Sequence, residues 1–560
     1  MAKQVRTAFI AVVASTVILA FIYHKSIISG EYRQGSSAVP PVFQAHANFL
    51  IQEEDKHTAA HTSTRHVISI PNQFSTASVL LPAWEVLVVV SPEMPLQLES
   101  VAASNYTCLF PSGDSSIARP AGILSSSNRT TFKCELPVRL RRRLPFPQPI
   151  LKVSNETLPP GAPTPELLRW NFLVFESLST EKDVVLFVKG INNRQGVNHA
   201  PSQFRCVFGD DAVNGVKTAV TASSQEVFRC QHPDLMAVTA SPSAGVKISL
   251  EITGENWIVP SVAYYTPARP RMPPRQPKPL ICACTMVYNA AKFLKEWVVY
   301  HSAIGVERFI LYDNDSDDNL YRVVEELVKE GYDLSTLLWL WPKTQEAGFS
   351  HCAINAKDTC TWMMYIDVDE FVYSPSWIDS PNPSKTMLNS LLPKSSSSSI
   401  GQVTINCYEF GPSKQVSHPE LGVIQGYNCR RRSENRHKSI VLLDAVDESF
   451  TNAIHHFWLR EGYRAKRLGL QKAVVNHYKY QAWPEFKAKF RRRVSAYVVD
   501  WTREQNLASK DRTPGLGYSP VEPKGWAEMF CEVHDDRLRE LTRRWFGIES
   551  PSGYLTDWLR

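Results

Sequence analysis

Charge of one sign is scarce in this 560-residue chain: Lys+Arg number 61 and Asp+Glu 55, so 61 − 55 leaves a net charge of +6. A dedicated nucleic-acid binder usually has a pI above about 9. The pI here is 8.6, which gives no argument for such a partner. The composition also lacks the marks of a disordered or collagen-like chain, since 43% of residues are apolar, 21% charged and only 25 are glycine. It is globular, and at roughly 150 residues per domain the length suggests two or three domains. Long apolar runs are scarce too. Thr7–Tyr23 is one uncharged stretch at the short end of the roughly 17–25 residues that span a bilayer, and no second one follows.

Lys3 and Arg6 precede that stretch, and His24 and Lys25 follow it. A cleaved signal peptide also starts basic, but its apolar part is usually about 7–15 residues and ends at a small-residue site. Neither feature fits, so an uncleaved anchor over 7–23 is expected, with 1–6 as a cytosolic tail. Positive charge at both ends orients it only weakly. Residues 24–75 are rich in Ser, His, Gln and Ala and read as a stem. Asn105-Tyr106-Thr107, Asn128-Arg129-Thr130 and Asn155-Glu156-Thr157 are glycosylation sequons and point to a secretory lumen. The 11 cysteines leave at least one unpaired or joined between chains.

From 76 to 265 the texture is β. Trp84–Val90 and Asp183–Val188 are short and β-branched, with Gly, Pro, Asn and Ser between such runs. Cys108-Leu109-Phe110 is answered by Phe132-Lys133-Cys134, and Cys206-Val207-Phe208 by Phe228-Arg229-Cys230. The separations, 134 − 108 = 26 and 230 − 206 = 24, nearly match. Zinc pairs usually sit about two to four residues apart. Disulfides Cys108–Cys134 and Cys206–Cys230 in an oxidising compartment are therefore the expectation. The region reads as a β-sandwich, a shape often used to bind ligands, with a spacer or dimerisation module as the plainer reading.

Residues 266–279 hold six prolines in fourteen residues and read as a stiff linker. Beyond it, over 280–560, strands and helices alternate. Strands are expected at Leu280–Tyr288, Arg308–Tyr312, Thr336–Trp341 and Thr361–Ile366, and helices at Ala291–Ala303, Leu320–Glu330 and around His351–Cys360. Alternation of this kind gives a mostly parallel α/β sheet whose ligands sit beyond the carboxyl ends of its strands. Polar clusters stand there: Asp313-Asn314-Asp315-Ser316 and Asp367-Val368-Asp369-Glu370.

Two carboxylates at i and i+2 after a strand repel unless a cation joins them, and a hard divalent ion with substrate phosphates does so. A D-x-D pair is also a common strand ending. Asx side chains in the earlier loop can bond ribose and base, or simply form an Asx turn. A glycan on the sequon at Asn314 would block the cleft, so that sequon is expected to stay unused.

The run CTMVYNAAKFLKEWVVYHSAIGVERFILYDNDSDDN, then WMMYIDVDEFVY, then VVNHYKY resembles glycosyltransferase family 92. The length and the N-terminal β domain are similar to its plant galactan-synthase branch. The resemblance implies a GT-A-type, Rossmann-like catalytic domain in a single-pass type II Golgi membrane protein. It implies UDP-galactose as donor, Mn²⁺ as cofactor and the β-1,4-galactan side chains of pectin as acceptor.

The same resemblance places uracil and ribose against Thr285–Asn289, chiefly Val287, Tyr288 and Asn289, and against Asp313 and Asn314. It assigns the metal to Asp367, Asp369 and His477, with His455-His456 as the rival late pair. Inversion needs a base for the acceptor hydroxyl. The carboxylates Glu409, Glu420, Glu434, Asp444 and Asp447 are open to that role, and Glu434 is preferred for its polar surroundings from Arg430 to Lys438. Lys438 is the preferred diphosphate contact, with Arg430–Arg432 and Arg436 beside it. Arg139–Arg143 and Arg491–Arg493 read as solvated faces or as steering charge for pectin. Tyr408, Trp458 and Trp483 are candidates for stacking on sugar.

A carbohydrate-binding or scaffolding protein with an inactive transferase domain is the alternative, and a glycoside hydrolase, which needs no nucleotide loops, is a third reading. A homodimer is compatible with the odd cysteine.

Overall fold

A computed structural model of the chain describes residues 76–91, 106–125, 127–142, 144–153, 164–193, 197–209, 213–234, 238, 245–255, 257–267, 277–394, 399–489, 522–550 and 553–559. The expected tail, anchor and stem, Asn105, Asn155, most of the linker and Arg491–Arg493 lie outside the described residues.

Among the described residues the β-rich region forms two separate sheets, of seven and eight strands. Each holds one of the echoed cysteine units. Ser115–Leu124 pairs through Ser115–Ala118 with Tyr106–Leu109, and through Arg119–Leu124 with Arg129–Glu135. Val216–Ser224 likewise pairs first with Phe204–Phe208 and then with Val227–Cys230. One long strand thus serves two short ones, and the cysteines of the short strands meet. Cys108 is bonded to Cys134 and Cys206 to Cys230, with Cα atoms 6.4 and 6.0 Å apart. Both bridges lie within a sheet.

The second half is mixed α/β. In chain order its elements are β1 (Ile281–Val287), α1 (Ala291–Ile304), β2 (Arg308–Asp313), α2 (Leu320–Lys329), β3 (Leu334–Leu338), α3 (Gln345–Ala356), β4 (Trp362–Tyr365), β5 (Glu370–Tyr373), β6 (Ile400–Glu409), β7 (His437–Leu442), β8 (Arg464–Arg467), β9 (Val474–His477) and α4 (Arg537–Phe546). The sheet order is β3-β2-β1-β4-β7-β6-β9-β5, with β8 alongside β6. β3, β2, β1 and β4 are mutually parallel. β7 then runs antiparallel to both β4 and β6, and β5 antiparallel to β9. The sheet is therefore mixed where alternation alone had suggested a mostly parallel one. β1 reads as an unbroken apolar run because both its faces are covered. Its Cys282 and Cys284, two residues apart on one face, are bonded to Cys360, just ahead of β4, and to Cys352 on α3, and so fasten β1 to α3 and to the segment that follows it.

β3 ends at Leu338, short of Trp339 and Trp341, which the expected strand had included. Those two rings are buried against the β-rich region. Phe175 lies 5.4 Å from Trp341 and 6.0 Å from Trp339, and Phe187 lies 5.3 Å from His351. Leu87, Phe175, Phe187, Trp339, Phe349 and Tyr365 belong to one shared apolar core. Each such ring or aliphatic group removed from water stabilises by about 1.5–3 kcal/mol. The β-rich region is thus packed against the sheet. Polar pairing continues the contact, since Gln225 Nε2 donates to Asn452 O at 2.7 Å and Asn452 N donates to Gln225 Oε1 at 3.0 Å.

Candidate active site

The carboxyl ends of β1, β2 and β4 carry the residues singled out by sequence. β1 ends in buried Val287, with half-buried Tyr288 next and Asn289 in the left-handed region at φ 47°. Asn289 ties this loop to the one after β2. Its Nδ2 donates to Asp317 Oδ1 at 2.5 Å, its Oδ1 accepts from Asp317 N at 2.9 Å, and its own N–H donates to Ser316 Oγ at 2.9 Å. Asp313 Oδ1 accepts from Ser316 N at 2.9 Å, and Asn314 Nδ2 donates to Trp339 O at 2.6 Å. Both Asx loops are tied by these bonds into one rim. The Asn314 amide is turned onto Trp339, whereas Asn128 is exposed in a turn.

Asp367 and Asp369 follow β4, and each carboxylate faces a cation. Lys438 Nζ on β7 lies 2.9 Å from Asp367 Oδ2 and 2.7 Å from Glu370 Oε1. It also donates to His455 Nε2 at 2.7 Å. Lys489 Nζ lies 2.6 Å from Asp369 Oδ2, and His477 Nε2 lies 3.6 Å from the same oxygen. His477 Nδ1 is 3.4 Å from Glu370 Oε1. One histidine therefore attends each aspartate, since His455 Nε2 is 3.7 Å from Asp367 Oδ2. The expected ligand His477 and, of the rival pair, His455 belong to the cluster, whereas His456 is turned to His437.

Burial opposes ionisation of Asp367, but Lys438 and then His455 overcome it and hold its pKa at about 2. Lys489 and then His477 do the same for Asp369, against its burial. Burial works against the Lys438 ammonium, yet Asp367 and Glu370 hold it above its ordinary value. Burial, and then Lys438, push His455 well down, so its imidazole is neutral and accepts from the lysine. Asp367, Asp369 and Lys438 are thus held in their charged forms, whereas burial raises the Glu370 carboxyl above its ordinary value.

Two ionised carboxylates and an imidazole suit a hard divalent cation of the Mn²⁺ kind. Among the described residues no three such side chains converge into a metal cage. Lys438 and Lys489 supply the positive charge beside the two aspartates.

Glu409 forms a second charged knot. It is fully buried at the end of β6, in register with His477. It accepts from Lys479 Nζ at 2.6 Å, Asn435 Nδ2 at 3.1 Å, Tyr480 Oη at 3.2 Å and Arg431 at 3.5 Å. Its pKa is lowered, with Lys479 the chief cause against burial. The preferred base, Glu434, is exposed in the turn that carries Arg431 and Asn435 and does not join the knot. Glu420 and Asp444 are exposed, and Asp447 accepts from Ser449.

Other expected contacts are engaged within the chain. Arg430 lies 3.8 Å above the Tyr408 ring and pairs with Asp535 at 2.6 Å. Trp483 packs with Phe486 and Trp526, which leaves Trp458, half exposed, as the accessible ring of the three proposed. The unpaired cysteine is Cys407, buried on β6, since Cys429 and Cys531 are also bonded. It is therefore not placed to bridge two chains. Sequence reasoning assigned no part to Glu370, Lys479 or Lys489. Glu370 and Lys479 stand beside named residues, whereas nothing in the spacing marks Lys489.

Charged side chains gathered at the carboxyl ends of parallel strands mark the place where an α/β domain binds its ligand. Residues 278–512 match the pattern described as Glycosyltransferase family 92. A family 92 protein of Arabidopsis thaliana is 42% identical over 398 residues, 70% of this chain and 69% of the relative. One of Oryza sativa subsp. japonica is 39% identical, over 68% and 67%. The chain belongs to glycosyltransferase family 92, a family of enzymes that transfer glycosyl groups. Among solved structures, the mannosyltransferase PcManGT of Pyrobaculum calidifontis with GDP-Man and Mn²⁺ is 15% identical at a TM-score of 0.24, covering 49% of this chain and 76% of its own. S. aureus TarS is 13% identical at 0.23, over 41% and 68%. Likeness of that degree supports no assignment of donor or acceptor.

Proposed function

We propose that the chain is an inverting GT-A-type galactosyltransferase that moves galactose from UDP-galactose to the β-1,4-galactan side chains of pectin. The reading rests on Asp367 and Asp369, two carboxylates kept ionised beside the rim formed by Asn289, Asp313 and Asn314. Asp367, Asp369 and His477 are the residues that would hold a divalent cation, and such an ion would supply Lewis-acid neutralisation of the departing diphosphate. Val287, Tyr288, Asn289, Asp313 and Asn314 receive the uridine. Lys438 keeps Asp367 ionised and offers positive charge to the diphosphate.

The acceptor hydroxyl attacks the anomeric carbon from the face opposite UDP. A new C–O bond forms as the bond to the diphosphate oxygen breaks, and the hydroxyl proton passes to a carboxylate. Glu409 is enclosed by four donors and has no free lone pair for that proton. Glu434 is open on the adjoining turn and takes the role.

The five disulfides suit an oxidising lumen. A Golgi site, Thr7–Tyr23 as the single anchor and glycans on Asn105, Asn128 and Asn155 belong to the same reading, of which the bridges support only the oxidising compartment. Sugar transfer to a β-1,4-galacto-oligosaccharide, compared for UDP-galactose, UDP-glucose and UDP-arabinopyranose, tests the donor. Preferred lengthening from UDP-galactose is the expected result, and lengthening from none of the three overturns the reading.

A further inference from the structure

The loop after β2 is held from two sides. Asn289 and Asp318 secure the side toward α1, with Asp318 Oδ2 accepting from Ala291 N at 2.9 Å. The other side is secured from the β-rich region, about 180 residues earlier in the chain. Lys133, on the strand Arg129–Glu135, sends its ammonium onto Asp315 Oδ2 and lies 3.6 Å from Glu85 Oε2. The Lys133 side chain is nearly covered, at 10% exposure, while Asp315 keeps 39%. Asp315 stands at φ 71°, a left-handed conformation that an aspartate holds at some cost. A fixed partner for its carboxylate favours that conformation.

Neighbouring contacts make the approach rigid. Gly122, on the adjoining strand, meets β3 so closely that a Cβ there would stand 2.9 Å from Leu338. Leu338 directly precedes Trp339, whose carbonyl receives the Asn314 amide. Lys189 of the second sheet pairs with Glu226 and donates to Lys343 O at 2.8 Å, which holds the next stretch of the same rim.

We infer that the β-rich region completes the donor site, with Lys133 as a positioning residue that sets the Asp313–Ser316 loop for the nucleotide by holding Asp315. Lys133 itself touches no substrate and acts through Asp315. The inference rests on the proposed reading that this loop receives the nucleotide.

The test uses the full chain, with UDP as probe in the presence of Mn²⁺, in wild type, Lys133→Met, Lys133→Arg, Asp315→Asn and the double variant. Loss of a partly buried charge-assisted bond should weaken UDP about tenfold in Lys133→Met and Asp315→Asn. The melting temperature should hardly move, Lys133→Arg should restore most of the affinity, and the double variant should be no weaker than either single one. If Lys133→Met fails to fold, Asp315→Asn, on the more exposed side of the pair, carries the measurement. Unchanged UDP affinity in a folded variant overturns the inference, whatever happens to stability, and so do additive losses in the double variant. A folded wild type that binds no UDP overturns the donor-loop reading itself and this inference with it. UDP binding without galactose transfer overturns the galactan reading alone.

Discussion

Lys489 Nζ lies 2.6 Å from Asp369 Oδ2, on the carboxylate that a divalent cation would share. An ammonium group there compensates a buried charge and competes with any other cation for it. Lys489→Met should therefore raise the affinity for Mn²⁺ in the absence of nucleotide, by about tenfold for one removed competing charge. Titration of Mn²⁺ followed by electron paramagnetic resonance measures it. Unchanged or weaker binding contradicts a role for Lys489 as the resident counter-ion.

Glu434 and Glu409 should fail in different ways. Glu434→Gln removes an exposed carboxylate, so folding and UDP binding should persist while kcat falls about 100-fold or more. Glu409→Gln leaves Lys479 as an uncompensated buried charge, which costs about 3–5 kcal/mol of stability. Thermal melts and single-turnover rates separate the two. An active Glu434→Gln enzyme moves the base to another carboxylate.

Acid should loosen the chain through two buried histidines. Burial pushes His301 down to about 3 and His351 down to about 4, from an ordinary 6.5. Each is neutral when folded but gains a proton once unfolded, so the unfolded chain binds more protons below pH 6.5. Their contribution is complete above that pH and is lost as pH falls through 6.5 toward the folded values. His351, which shares a 2.6 Å hydrogen bond with Tyr312 Oη, accounts for about 3 kcal/mol of this. Melting temperatures between pH 7 and 4 should fall, and His351→Gln should flatten the slope. A slope unchanged in that variant contradicts the assignment.

Cys407 should be silent in the native chain. It is buried, and burial followed by nearby Glu370 pushes its thiol well up, away from the reactive thiolate. Iodoacetamide should modify no cysteine until the chain is unfolded, and then one. A disulfide-linked dimer that Cys407→Ala abolishes contradicts this.

Much of this was legible from local pattern. Apolar strands ending in Asp313-Asn314 and Asp367-Val368-Asp369 marked where β2 and β4 stop, because strand and polar turn are written in adjacent residues. Matched spacing was enough to pair Cys108 with Cys134 and Cys206 with Cys230. What escaped depends on distant chain segments. Trp339 and Trp341 read as strand because apolar residues look alike whether they join a ladder or fill a neighbouring core. Lys489 on Asp369 and Lys133 on Asp315 join residues 120 and 182 positions apart, and a lone lysine carries no periodic signal. The Cys284–Cys352 and Cys282–Cys360 bridges follow from how α3 and the segment leading from it to β4 lie on β1, which no spacing rule supplies.

The most direct test is transfer by the full chain from UDP-galactose to a β-1,4-galacto-oligosaccharide with Mn²⁺, with EDTA, and with Asp369→Ala. Product lengthening with Mn²⁺ that disappears with the chelator and with the substitution is the predicted result. Lengthening that persists in both contradicts the role given to Asp367 and Asp369, and no lengthening with Mn²⁺ contradicts the donor and acceptor.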